Sequence, residues 1–173
     1  SSTTYTTGGA WLGGVQPPTG SDITIAHVIT VSGNNAINVP RNITIANGGS
    51  IITAGNAVAS NTGTITIDAG GAMTLGSNST WTSSSSVTNN GTISFNASFI
   101  STLKLNAGTF SNNGTLTLGV GNIATAGAVT LTGTTTFNSL TLSGATTLPA
   151  GSTINGTLTL NTGGSLVSNS PSY

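Results

Sequence analysis

Short segments with an apolar residue on each side of a polar one recur along the chain. Seven such triplets, each with Thr or Ser at the centre, are Ile23–Ile25, Ile43–Ile45, Ile65–Ile67, Ile93–Phe95, Leu116–Leu118, Leu140–Leu142 and Leu158–Leu160. Successive triplets begin 20, 22, 28, 23, 24 and 18 residues apart. Alternation of this kind predicts short β-strands with one buried face, and its recurrence predicts a repeat fold.

Two further series of apolar positions follow the triplets at similar intervals. The second series is Val31, Ile51, Met73, Leu103, Val129, Leu148 and Leu166. The third is Val39, Val58, Trp81 or Val87, Phe110, Phe137 and Ile154. Three strands per coil predict an all-β fold, a parallel β-helix or β-solenoid of about seven coils of 18–28 residues, in which each coil buries its apolar face against its neighbours. Parallel crossovers are overwhelmingly right-handed, so we expect a right-handed coil.

Turn residues recur in the same register as the triplets. Gly-Gly pairs follow three triplets, at Gly48, Gly70 and Gly163, and supply the positive φ angles that tight corners need. Asn-Gly-Thr precedes strands at Asn90, Asn113 and Asn155, which predicts asparagines stacked in ladders along the axis.

These patterns predict one domain with three parts. We expect an N-terminal capping segment at 1–22, a solenoid at 23–167 and a C-terminal tail at 168–173. The residues suited to cover the first coil are Tyr5, Trp11, Leu12 and Val15. The longest insertion is expected near 76–90, with the polar run Ser83–Ser86 in a bulging loop and Trp81 on that loop.

Charge is nearly absent from the composition. The 173 residues include 2 Lys or Arg, 2 Asp or Glu, 1 His and no Cys. So few ionisable groups argue against an enzyme, a cofactor or a metal site, and a net charge of zero argues against nucleic acid as a partner. No apolar stretch approaches the length of a membrane span. We expect Asp22 and Arg41 to form a surface ion pair between the first two coils, and His27, Asp68 and Lys104 to take no part in a catalytic cluster.

The opening of the chain is its most distinctive segment. It contains Trp11-Leu12-Gly13-Gly14-Val15-Gln16-Pro17 and then Asp22-Ile23-Thr24-Ile25. This opening, followed by Asn-Gly-Thr coils, resembles the repetitive secreted surface and adhesin-like β-solenoid proteins of Bacteroidota-type bacteria. The resemblance implies an extracellular or cell-surface location, and a product already processed from an exported precursor.

The two ends of the predicted solenoid differ. The tail after Val167 carries no charge and little apolar bulk, so we expect that end to be uncapped. An open strand edge without charges is a template for another chain. The leading hypothesis is therefore a non-enzymatic structural protein, a subunit or module of a surface filament or adhesin stalk. Its partner would be itself, by head-to-tail stacking, or adjoining modules of a longer surface protein.

The triplet centres are expected to point outward. Together with the hydroxyl residues two positions earlier they form a candidate outward face, comprising Thr24, Thr44, Thr64, Thr66, Thr92, Ser94, Thr115, Thr117, Ser139, Thr141, Thr157 and Thr159. Paired Thr columns on a solenoid resemble the ice-binding face of antifreeze proteins, which makes ice binding the alternative function. Thr ladders that only stabilise the sheet explain the same pattern.

Asparagines in Asn-x-Ser/Thr context are candidate glycosylation sites on an exported surface. They are Asn42, Asn78, Asn90, Asn96, Asn113 and Asn155. Chance accounts for their number in a chain so rich in Asn, Ser and Thr. Asn78, on the expected long loop, would be the most accessible of them.

Overall fold

The computed structural model describes residues 3–4, 17–33, 41–133 and 135–168. Within these ranges there are twenty β-strands and no helix, and every strand pair is parallel. The strands form three sheets that wind as a β-solenoid of about seven turns. The predicted all-β parallel solenoid is confirmed, whereas its hand stays a prediction.

Sheet I has eight strands and extends through every coil. In spatial order its strands, labelled by their order in the chain, are β2 (Ile23–Ile25), β4 (Ile43–Ile45), β7 (Ile65–Ile67), β10 (Val87–Asn89), β13 (Gly108–Asn112), β16 (Val129–Thr132), β18 (Ala145–Leu148) and β20 (Ser165–Ser168). The regular alternation of buried Ile and outward Thr explains why its first three strands form. Sheet I is therefore the surface along which any repeated feature is longest.

Sheet II forms the second side of the coils and ends before the C-terminus. Its six strands are β1 (Thr3–Thr4), β3 (Val28–Val31), β5 (Ser50–Thr53), β8 (Ala72–Leu75), β11 (Thr92–Phe95) and β14 (Thr115–Thr117). The short β1 pairs with β3, so the segment expected to cap the solenoid adds a strand to this sheet.

Sheet III forms the third side. Its six strands, in order along the axis, are β6 (Val58–Asn61), β9 (Thr80–Ser83), β12 (Thr102–Leu105), β15 (Asn122–Thr125), β17 (Thr136–Leu142) and β19 (Thr153–Leu160). From β4 to β15 each coil visits sheets I, II and III in turn. Beyond β15 the described strands alternate between sheets I and III alone.

The core is a single column of apolar side chains enclosed by the sheets. It contains isoleucines of sheet I together with Trp81, Phe110 and Phe137, and these three aromatic residues are all fully buried. A few buried polar groups bond to one another inside this column: the indole Nε1 of Trp81 donates to Asn61 Oδ1 at 3.0 Å. Burial of Trp81 contradicts its expected place on a loop.

The expected insertion at 76–90 is wrong. This stretch is an ordinary coil segment containing β9 and β10, and Ser83 is buried rather than part of a bulge. The predicted 28-residue step from Ile65 to Ile93 is wrong for the same reason, because Ile65 pairs with Val87, 22 residues on. Among the connections that lie wholly within the described residues, the longest is 96–101, between β11 and β12.

Close approach between successive coils requires glycine where sheet I turns into sheet II. A Cβ added at Gly114 would lie 2.2 Å from the carbonyl oxygen of Gly91 on the previous coil. Beside this contact, Asn113 Nδ2 donates to Asn90 Oδ1 at 3.0 Å, which confirms the predicted asparagine ladder here. Corner glycines also have the expected positive φ, 78° at Gly48 and 83° at Gly70.

Candidate functional surfaces

The hydroxyl residues expected to form one outward face lie on three different sheets. Sheet I carries Thr24, Thr44 and Thr66, with Thr64 just before β7; sheet II carries Thr92, Ser94, Thr115 and Thr117; sheet III carries Ser139, Thr141, Thr157 and Thr159. None of these residues is buried, so the expected outward orientation holds for each. The expectation of a single continuous face is wrong.

The register of sheet pairing explains the error. The triplet at Ile93 pairs with Met73 in sheet II, whereas the strand that continues sheet I after Ile65 begins at Val87. Val87–Asn89 was missed because its last residue is a buried Asn in place of an apolar residue. Since every side of the solenoid needs the same buried–outward–buried pattern, the triplet identifies a strand and not the side on which it lies.

Sheet I nonetheless carries a longer hydroxyl column than the one predicted. Six residues pair in register from β2 to β16 and all bear a hydroxyl group: Thr24, Thr44, Thr66, Thr88, Ser111 and Thr132. Two positions earlier runs a second outward column, consisting of Asp22, Asn42, Thr64, Ser86, Thr109, Thr130 and Thr147. Four consecutive coils, those containing β7, β10, β13 and β16, thus present a hydroxyl at both positions. We call these eight hydroxyls the sheet I array.

The array begins at a hydrogen-bonded polar cluster on the first coils. Arg41 Nε and Asp22 Oδ1 lie 3.1 Å apart, which confirms the predicted ion pair. The amide of Asn42 donates from Nδ2 to Asp22 Oδ1 at 3.1 Å and accepts from Thr64 N at 2.9 Å. The guanidinium of Arg41, with help from Asn42, holds the pKa of Asp22 below its ordinary value. The pair is exposed, so its electrostatic contribution is screened by solvent.

The candidate glycosylation asparagines occupy different environments. Asn78 is exposed with a φ of 53°, in a four-residue turn rather than on a long loop. Asn90 and Asn155 are exposed, as is Asn113, which donates to Asn90. By contrast, Asn96 is half-buried and its Oδ1 accepts from Ser98 N at 2.8 Å. Asn42 is also half-buried, with its Nδ2 bonded to Asp22. Accessibility therefore favours Asn78, Asn90, Asn113 and Asn155 as acceptors.

The expected N-terminal cap residues Tyr5, Trp11, Leu12 and Val15 lie outside the described residues, as does most of the tail at 168–173. The coil that they would cover is described, and its core residues Ile25 and Ile29 are fully buried. Among the described residues, no group of three or more His, Asp or Glu side chains could hold a metal ion. None of the described segments forms a helix able to cross a membrane.

The last coil has a different surface from the first. Leu158 and Leu160 of β19 pair with Leu140 and Leu142, which are fully buried. Leu158 itself is 38% exposed and Leu160 is 55% exposed. Sheets I and III both terminate here, in β20 and β19. This end presents inward-pointing leucines and two strand edges that no described strand covers.

Comparisons of the chain with protein families, curated proteins and solved structures found no match.

Proposed function

We propose that the chain is a structural β-solenoid module of an extracellular filament or adhesin stalk that extends by head-to-tail stacking of copies. The observation that supports this proposal is the edge formed by β19 and β20. Leu158 and Leu160 occupy the register of buried core leucines but are exposed, and no described strand covers them. Covering them with another copy would continue the same core and remove apolar surface from water.

The strand edges favour the same arrangement. Neither β19 nor β20 contains a charged residue or a proline, the usual devices that block pairing at an edge. At the other end, β2 is the outermost strand of sheet I. A copy whose β2 pairs with β20 in the parallel direction continues sheet I from one subunit to the next. Such a contact is heterologous and does not close, so it produces a filament.

The near-absence of charge suits an extracellular fibre. With 2 basic and 2 acidic residues, the module has little electrostatic energy for salt to screen. Its assembly would therefore depend on apolar burial and backbone hydrogen bonds. We expect assembly to be nearly independent of ionic strength, in contrast to filaments held by ion pairs.

Electron microscopy and sedimentation of the purified chain over a concentration series test the proposal. We expect fibres of uniform width that lengthen with concentration. Leu160→Lys places a charge at the open edge and should abolish them. The matched control is Phe99→Lys, because Phe99 is 53% exposed on the connection 96–101 between β11 and β12, away from both ends of the sheets.

Two results would overturn the proposal. One is a wild-type chain that stays monomeric at the highest concentration. The other is assembly that Leu160→Lys and Phe99→Lys reduce equally, since that would place the contact elsewhere. Far-ultraviolet circular dichroism shows whether each variant keeps its β-structure, so that a misfolded protein is not counted as a disassembled one.

Ice binding is a second candidate, and the sheet I array is the observation that favours it. Neighbouring strands of a parallel sheet lie about 4.8 Å apart and alternate residues along a strand about 6.6 Å apart. Four coils in succession therefore place hydroxyls on a regular two-column lattice, which resembles the surface on which antifreeze proteins hold ordered water. The register of the structure gives this lattice to sheet I, where Thr88 lies near its centre.

Thermal hysteresis of the wild-type chain tests this second candidate. Thr88→Tyr interrupts the array with a bulky side chain and should abolish hysteresis. Thr117→Tyr is the matched control, because Thr117 is an exposed outward residue of sheet II. A wild-type chain without hysteresis, or equal losses in both variants, would reject ice binding through sheet I.

A further inference from the structure

A shallow groove of about 230 Å³ lies on the outer face of sheet III, on a different side of the solenoid from the sheet I array. It includes Thr157 and Thr159 of β19, whose side chains lie on the opposite face of that strand from Leu158 and Leu160. Its floor consists of two neighbouring columns of polar side chains. Asn122, Ser139 and Thr157 pair in register along the axis, and Thr141 and Thr159 pair beside them. The floor thus crosses three coils, those containing β15, β17 and β19.

An apolar wall borders this floor. It is formed by Ile100, on the six-residue connection 96–101, and by Val120, on the turn between β14 and β15. Ile100 is 66% exposed and Val120 is 43% exposed. The neighbour of Ile100, Phe99, is also exposed. Three of the large exposed apolar residues of the chain therefore lie on the two connections that supply this wall.

The connection that carries Ile100 is fixed at both ends. Asn96 Oδ1 accepts hydrogen bonds from the backbone N–H groups of Ser98 at 2.8 Å and Phe99 at 3.1 Å. At the other end Ser101 is buried, and its hydroxyl donates to the carbonyl oxygen of Leu75 at 3.3 Å. The wall is therefore held in place before any ligand arrives, which lowers the entropy cost of binding.

We propose that this groove binds a neutral linear glycan. Sugar rings combine an apolar C–H face with a rim of hydroxyl groups, and the groove offers an apolar wall beside a polar floor. Among the described residues, the hydroxyls of Ser139, Thr157 and Thr159 have no protein partner, so each can donate to or accept from a ligand. Asn122 and Thr141 are bonded to each other at 3.2 Å and give the floor a fixed centre.

The charge and the size of the groove restrict the class of ligand that it can bind. None of the seven residues that line the groove is ionisable. Lys104 does not line the groove, although it lies on β12, the strand next to Asn122 of β15. The lining therefore offers neutral hydrogen-bonding groups and no cation to pair with an acidic sugar. The volume of the groove lies below the roughly 300 Å³ of small-molecule pockets, which fits a short segment of a chain that continues along the axis.

The inference concerns a surface that the filament proposal does not use, so the two can fail separately. Isothermal titration calorimetry with neutral hexasaccharides of glucose, mannose and xylose tests it, and hexagalacturonic acid serves as the acidic comparison. We expect binding of at least one neutral hexasaccharide and none of the acidic one. Thr157→Val, which keeps the shape of the side chain and removes its hydroxyl, should weaken binding about threefold to tenfold.

Two further variants make the test specific. Ile100→Ser removes the apolar wall from an exposed connection and should also weaken binding. Thr88→Val, the matched control on sheet I, should leave it unchanged. The proposal is rejected if no neutral hexasaccharide binds, if hexagalacturonic acid binds equally well, or if Thr157→Val and Ile100→Ser both bind like the wild type.

Discussion

The solenoid has three sides over most of its length and two sides towards its C-terminal end. From β4 to β15 every coil contains a strand of sheets I, II and III, and the core is wide enough for Trp81 and Phe110. Beyond β15 sheet II contributes no described strand, and successive strands alternate between sheets I and III. One chain with one type of repeat thus forms coils with three sheets in one part and coils with two sheets in the other.

The difference follows from the number of residues between strands of sheets I and III. Residues 113–121 separate β13 from β15 and accommodate β14 with a turn on each side. Only 133–138 separate β16 from Ser139, the residue of β17 that pairs with Asn122 of β15, and this stretch contains a bulge and no described strand of sheet II. Gly133, with a φ of 81°, makes this shortened corner. The spacing of apolar segments therefore sets the number of sides, and the following predictions test each part of the comparison.

The largest effect is expected in the three-sided part, at its widest core residue. Trp81→Ala removes a fully buried indole and should destabilise the chain by about 3–5 kcal/mol in denaturant unfolding. Trp81→Phe keeps most of the volume but leaves Asn61 Oδ1 without its donor, and should cost less. Equal losses for the two variants would mean that the hydrogen bond, and not the volume, dominates at this site.

A smaller effect is expected at the corner between sheets I and II, which only the three-sided part has. Gly114→Ala forces a Cβ against the backbone of Gly91 and should cost about 1–3 kcal/mol, measured by thermal unfolding. Gly55→Ala is the control, because the nearest atom to its added Cβ is 3.7 Å away. If both variants unfold at the wild-type temperature, the coils at this corner are not held in close contact.

Where the three-sided part meets the two-sided part, a buried hydroxyl pair links sheet III to sheet I. Thr125 Oγ1 and Thr146 Oγ1 lie 2.9 Å apart, and both residues are buried. Thr146→Val leaves the Thr125 hydroxyl without a partner and should cost about 1–2 kcal/mol. The double variant Thr125→Val with Thr146→Val should recover part of that loss. A double variant whose loss equals the sum of the single losses would show that the pair is not coupled.

The smallest effect is expected from acid, at the ion pair beside β2 and β4. Because the folded-state pKa of Asp22 is below its usual 3.8, the stabilisation by its contact with Arg41 is present above that value. It is lost as the pH falls through the lower folded-state pKa. The protection of the β2 amides against hydrogen exchange should therefore rise less steeply with increasing pH in Asp22→Asn than in the wild type. Identical profiles would show that the ion pair does not stabilise this coil.

Much of the fold was predictable from residue patterns, whereas the assignment of strands to sides was not. Triplets such as Ile23–Ile25 predicted strands correctly because buried and outward residues must alternate. The pattern could not distinguish Ile93 of sheet II from Val87 of sheet I, since the core accepts apolar residues from every direction. It also missed the buried Asn89, whose Nδ2 bonds to Asn112 Oδ1 at 2.8 Å on the next coil. A buried amide that replaces an apolar residue is recognisable only once its partner is known.

The sequence predicted that outward hydroxyl columns exist, but it did not predict which sheet carries the longest one. Outward hydroxyl columns were expected, and the pairing register moves the longest of them to Thr24, Thr88 and their neighbours on sheet I. The groove of sheet III had no signal in the sequence. Its floor depends on which coils are adjacent, and its wall depends on a connection at 96–101 whose length becomes visible only when the strands around it are assigned.

The hydrogen bond between Trp81 and Asn61 influences which stacking of strands the chain adopts as it folds. Triplets with the same alternation of apolar and polar residues occupy all three sides. Arrangements in which each strand is moved to the neighbouring side of the solenoid therefore bury nearly the same residues, and they compete with the native arrangement during folding. Trp81 and Asn61 meet only when β9 stacks on β6. In any other arrangement the indole N–H and the amide would be buried without each other, at a high free-energy cost. Together with other buried polar pairs, such as Thr125 and Thr146, this contact thus favours the native winding over its near-equivalents.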